Sequence, residues 1–137
     1  MTAEQVTDYF SRYAEAFDAF DAEAIAGFYH VPCMLVRPGS VVAFSTADEV
    51  IANMHALVSF YRSRGYRRAS FGGVRSVVLD DGLVLATVPW TIHLGEPGAL
   101  EAFRNTYELI DLHGKWGIIV STMHEPGVVR NTDRSPE

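Results

Sequence analysis

The chain of 137 residues has one cysteine, Cys33. No intramolecular disulfide can form, and a zinc site built on paired cysteines is excluded. Basic residues are in the minority, 11 Lys and Arg against 17 Asp and Glu, for a formal charge of −6. Nucleic-acid binders show the opposite excess, so no nucleic-acid partner is expected. No apolar run approaches the roughly 20 residues of a membrane span. Met1–Gln5 also lacks the basic-then-apolar order of a signal peptide. No membrane partner is expected, and a cytoplasmic protein is the default. His-x-x-x-His and Glu-x-x-His spacings are missing, as is an acidic loop of calcium type, so no metal is expected. There is no glycine-rich phosphate loop and no cofactor is expected. Gly72-Gly73 falls in a β-prone stretch, where it marks a bend or bulge.

What is present suits a globular protein: 48% apolar and 20% charged residues. The length corresponds to one domain, expected over residues 1–125, with Pro126–Glu137 as a polar, aperiodic and flexible tail. Val6, Tyr9, Phe10, Tyr13, Phe17 and Phe20 recur at three- and four-residue steps, which predicts a helix over Ala3–Ala19. Thr2 and Gln5 form its capping box. Asp21 caps a second helix, Ala22–Tyr29. Cys33–Val36 and Val41–Phe44 read as short strands around the Pro38-Gly39 turn. Thr46, with Glu49 three residues on, starts a long helix that Gly65 ends. Its stripe is Val50, Ile51, Met54, Leu57, Val58 and Tyr61. Four long strands follow: Ala69–Leu79, Leu83–Leu94, Leu100–Leu112 and Trp116–His124. Pro89 within the second points to an edge position or a bulge. Helices segregated from a β-meander predict an α+β fold, three N-terminal helices packed on a strongly curved, mainly antiparallel sheet.

Three stretches carry a resemblance over Ala3–Glu125. The first is Arg12-Tyr13-Ala14-Glu15-Ala16-Phe17 with Asp21-Ala22-Glu23-Ala24-Ile25 and Phe28-Tyr29. The second is Ser45-Thr46-Ala47-Asp48-Glu49-Val50-Ile51. The third is Arg104-Asn105-Thr106-Tyr107-Glu108-Leu109, followed by Asp111-Leu112-His113-Gly114-Lys115-Trp116 and ending at His124. In order and spacing the chain resembles the NTF2-like superfamily, the cone fold shared by SnoaL-like cyclases and ketosteroid isomerases. The resemblance implies an apolar cavity at the cone mouth. It also implies a helical tyrosine as oxyanion donor, at Tyr13, and a second donor on the penultimate strand, aligned at Thr106. The base aspartate of the isomerases falls at Arg37, which accepts no proton at neutral pH. Steroid isomerisation by that mechanism is therefore not expected.

The remaining candidates follow from residue chemistry. Arg37 binds a carboxylate, phosphate or enolate oxygen if it points inward, and is a solvated hairpin arginine if it points out. Arg104, Thr106 and Glu108 alternate on one strand face, which either meets the cavity or is the outer face. His30 and His124 have the imidazole suited to proton transfer, or are satisfied structural histidines. The rings Tyr9, Phe10, Tyr13, Phe17, Phe28, Tyr29, Phe60 and Trp90 should gather between helices and sheet. Phe17, Phe28, Met54 and Trp90 are expected to line a cavity for a flat or hydrophobic molecule. The outer face, with Leu83, Leu85, Thr87, Thr91 and His93, suggests a homodimer. The expectation is a small hydrophobic or carbonyl-containing ligand. Isomerase, cyclase or hydrolase chemistry would be carried by Tyr13, His30, Arg37 and His124. The alternative is a non-catalytic homodimeric interaction module.

Overall fold

Each helix begins at a cap already legible in the sequence. In the computed structural model, which describes residues 1–96 and 99–124, α1 spans Ala3–Asp18. Thr2 Oγ1 accepts from the Gln5 amide at 3.1 Å, and Gln5 Oε1 accepts from the Thr2 amide at 2.8 Å. Val6, Tyr9, Phe10 and Tyr13 are its buried stripe. It ends where Phe20 turns left-handed at φ 53°. Asp21 then caps α2, Ala22–Ala26, by accepting from the Ala24 amide at 3.0 Å. This helix stops three residues before its expected end. Gly27 caps it, and Tyr29 is instead the first residue of β1, where it pairs with Ile118. Helix α3, Ala47–Ser63, carries the Thr46–Glu49 capping box. Gly65 follows at φ +78°, and a Cβ there would lie 3.0 Å from the Gly95 backbone. That turn requires glycine twice over.

Seven strands form one sheet: β1 Tyr29–Arg37, β2 Ser40–Phe44, β3 Arg68–Phe71, β4 Arg75–Asp80, β5 Leu83–His93, β6 Leu100–Leu112 and β7 Lys115–His124. Their order is β2-β1-β7-β6-β5-β3, and β4 also pairs with β5. Only the β1–β7 pair is parallel. The single strand expected over Ala69–Leu79 is two, β3 and β4, which occupy successive stretches of β5. Pro89 lies opposite the break between them. Its carbonyl accepts from the Gly72 amide at 3.2 Å. A strand residue points its N and its C=O to the same side, so the missing N–H also faces the break. Proline is therefore tolerated in a central strand.

Strand alternation divides the sheet into two faces. Val84, Ala86, Val88, Trp90 and Ile92 of β5 are buried under the helices. Leu83, Leu85, Thr87, Thr91 and His93 take the other face. Phe10, Ile25, Met54, Tyr107, Leu109 and Ile118, each less than 2% exposed, form the centre of the core between helices and sheet. Phe60 departs from the expected ring cluster and is 51% exposed. The architecture is the α+β arrangement read from the sequence, three helices on a curved, mostly antiparallel sheet. Among the described residues, no helix is long and apolar enough to cross a membrane. The expected tail, Pro126–Glu137, lies outside the described residues.

Candidate functional site

The two-residue period of β5, β6 and β7 projects one set of side chains toward α1 and α3. The helices do not fill the space above that set. A cavity of about 610 Å³ remains, walled by Phe17, Met54, Leu57, Trp90, Ile92 and Phe103 among others. Its polar groups fall into a floor and a rim.

The floor is a chain of neutral donors and acceptors. Tyr13 and Tyr29 share a hydrogen bond at 2.8 Å, and Tyr29 also bonds Ser121. Asn105 Nδ2 donates to Ser121 Oγ at 3.0 Å and to the Tyr107 hydroxyl at 3.1 Å. Trp90 Nε1 donates to the same hydroxyl at 2.9 Å. Burial holds the phenols protonated. It pushes Tyr29 up to about 12, against the pull of its bonds to Tyr13 and Ser121. Burial also raises Tyr13 and Tyr107 well above the ordinary phenol value, reinforced by the neighbouring phenols. Asn105 Oδ1 is buried and has no hydrogen-bond partner. If the amide were turned over, Tyr107 and Ser121 would donate to Oδ1, and Nδ2 would be the unpaired atom. Either way one polar end of this amide is buried without a partner.

The rim carries the charge. Arg64 Nη1 and Glu101 Oε2 pair at 2.7 Å. Arg37 ends β1 and is exposed, and Ser40 pairs with it across the hairpin. Among the described residues Arg37 has no ion-pair partner.

Of the candidates read from the sequence, Tyr13, Phe17, Arg37, Met54 and Trp90 line this cavity. Phe28 does not. Its ring sits edge-on to Tyr9 and Tyr13, at 5.2 and 5.4 Å, and its carbonyl accepts from the Tyr9 hydroxyl. His30 is held elsewhere. Its Nε2 meets the Lys115 carbonyl at 2.8 Å, and its ring fills the space beside Gly117, where a Cβ would come within 2.3 Å of Cδ2. Thr106 and His124 are also outside. Thr87, Thr106 and His124 form a ladder of 2.9 Å contacts on the outer sheet face. Arg104 and Glu108 share that face by alternation. The register decides the matter. Phe103, Asn105 and Tyr107 stand opposite Trp90, Val88 and Ala86, so they point inward. The cavity thus takes Asn105 and not its neighbour Thr106. Sequence reasoning missed Asn105, Tyr107 and Ser121, and placed Tyr29 only among the rings between helices and sheet. Parity alone gave no signal: Phe103, Tyr107 and Leu109 share the face of Asn105, but Leu100, Ile110 and Leu112 have the opposite parity.

No histidine lines the cavity among the described residues. Its one carboxylate, Glu101, is already paired. Cys33 lies outside the lining, buried, with its thiol pushed up by desolvation. The described lining therefore offers hydrogen-bonding groups and apolar walls, and no unpaired carboxylate or imidazole to take a proton at neutral pH.

The sequence of residues 3–126 matches the family model described as NTF2-like protein (DUF6841). The chain belongs to that family. Solved structures of the same cone fold agree. One is an NTF2-like protein with a cystatin-like fold from Novosphingobium aromaticivorans, 13% identical, covering 90% of this chain and 80% of that one, TM-score 0.72. Another is a putative calcium/calmodulin-dependent protein kinase II association domain from Xanthomonas campestris, 17% identical, covering 93% and 91%, TM-score 0.71. A third is an NTF2-like protein of unknown function from Shewanella oneidensis, 17% identical, covering 90% and 98%, TM-score 0.71. At these identities the likeness is one of fold. No curated protein matches the chain in sequence.

Proposed function

We propose that the protein binds a small, mainly apolar molecule in the cone cavity and anchors one of its oxygens or nitrogens at the Asn105 amide. The observation that carries this reading is the unpaired end of that amide, beside a chain of tyrosine, tryptophan and serine groups that bond one another. A buried polar atom without a partner costs about 1–3 kcal/mol. Oδ1 accepts, so a ligand hydroxyl or N–H that donates to it, once a small rotation of the side chain opens it to the cavity, removes that cost while the ligand's body covers Phe17, Trp90 and Phe103. The volume falls within the roughly 300–1,000 Å³ of small-molecule sites.

Binding without proton transfer is the reading favoured over isomerase, cyclase or hydrolase chemistry. The resemblance supplies an oxyanion donor at Tyr13 but no base, and the described lining provides none. The test is a thermal-shift and calorimetric screen of aromatic alcohols and primary amides against the wild type and Asn105→Ala. Ligands should raise the wild-type Tm and lose about tenfold in affinity with the variant, the worth of one buried hydrogen bond. Absence of any hit, or equal affinity for both proteins, would overturn the assignment.

A further inference from the structure

The charge of the cavity does not follow the charge of the molecule. The chain is acidic, at −6. The ionised groups of the described lining are Arg37, Arg64 and Glu101, two cations against one anion. Arg64 and Glu101 neutralise one another at 2.7 Å. Arg37 is the charge left over, with no ion-pair partner among the described residues. The β1–β2 hairpin holds it at the mouth, beside Ser40 and beyond the apolar side chains of Leu35 and Val42. Below it the cavity holds no further ionised group. The phenols of Tyr13, Tyr29 and Tyr107 stay protonated well past neutral pH, and Asn105 and Ser121 carry no charge.

The lining is therefore bipolar along its depth, with a cation at the mouth, an apolar waist and a neutral hydrogen-bonding floor. We infer that the ligand is an amphiphilic monoanion, an aromatic or alicyclic carboxylic acid with a hydroxyl or N–H donor at its far end. This rests on the binding reading above and names its ligand class. A carboxylate at the mouth forms a charge-assisted pair with the Arg37 guanidinium. A dianion would bring a second charge to a rim where the other arginine is already taken by Glu101. A cation would meet Arg37 with nothing to offset it.

The experiment uses the full chain and four probes. Nile red, neutral and hydrophobic, reports whether the cavity takes any apolar molecule. A hydroxynaphthoic acid, its carboxamide and the matching aminomethyl compound share one skeleton and differ in charge. Dissociation constants are measured for the wild type and Arg37→Ala, at low ionic strength and at about 1 M salt, where screening is nearly complete. The acid should bind about tenfold tighter than the amide at low salt, and the amine weakest. High salt should narrow that gap, and Arg37→Ala should close it, read as the ratio of acid to amide affinity within each protein. Nile red binding together with equal affinities for acid and amide would overturn the anion assignment and leave the binding reading intact. So would a gap that survives Arg37→Ala. Failure of all four probes would overturn both.

Discussion

Asp18 stands two residues before the left-handed Phe20, at the point where the apolar period of α1 lapses. Its carboxylate has a purpose that spacing alone does not reveal. Oδ1 accepts from the Tyr66 hydroxyl at 2.6 Å and from the Ala69 amide at 3.0 Å, tying the end of α1 to the start of β3. Tyr66 is buried, and desolvation together with Asp18 raises its phenol. Removing the acceptor strands a buried hydroxyl, which is more damaging than removing the donor. Asp18→Ala should lose about 1–2 kcal/mol in urea unfolding, and Tyr66→Phe about 1 kcal/mol or less. The double variant should lose less than the sum, because both act on one bond. Strict additivity of the two losses would show that the bond contributes nothing.

At the scale of elements, the fit of β1 to β7 depends on a side chain and a missing one. The His30 ring occupies the place a Gly117 Cβ would take, and its Nε2 meets the carbonyl of Lys115, two residues earlier on β7. Gly117→Ala should therefore overpack the pair and lose about 1–3 kcal/mol. Combining it with His30→Ala should recover part of that loss, measured by thermal unfolding. No recovery would mean that the clash is not with the imidazole. This contact shows what a single chain hides: its partners are 87 positions apart and neither has a distinctive neighbourhood. Local signals fared better. Thr2–Gln5, Asp21 and Thr46–Glu49 were legible because a cap acts within four residues. Tyr13, Phe17 and Met54 could be placed toward the sheet from helical spacing. The face of β6 could not be read with the same ease. Arg104, Thr106 and Glu108 look like the functional row because they are polar, yet pairing with β5 turns them outward. A shift of one residue exchanges the two faces of a strand. Only the register against buried Val88 and Trp90 brings Asn105 into the cavity.

For the whole molecule, the cone gathers its phenols where water is scarce. All six tyrosines, Tyr9, Tyr13, Tyr29, Tyr61, Tyr66 and Tyr107, have raised pKa values, with desolvation the leading cause in each. Tyr29 and Tyr61 reach about 12, and the ordinary value is 10.0. The unfolded chain releases these protons near 10, while the folded chain retains them. The unfolded state therefore binds fewer protons above pH 10, and stability falls as pH rises. Their contribution is complete below pH 10 and is lost as pH rises from there through about 12 and beyond. Six groups acting together make the decline steep. Stability measured in urea should be flat with respect to tyrosine ionisation up to pH 10 and should drop sharply above it. The phenolate absorbance of the native protein should stay near zero at the pH where free tyrosine is half ionised. It should then rise together with the loss of near-ultraviolet circular dichroism, because ionising the buried phenols and opening the cone are one event. Reversible ionisation of most of the tyrosines near pH 10, with the circular dichroism of the folded chain intact, would show that the phenols between helices and sheet are in contact with water.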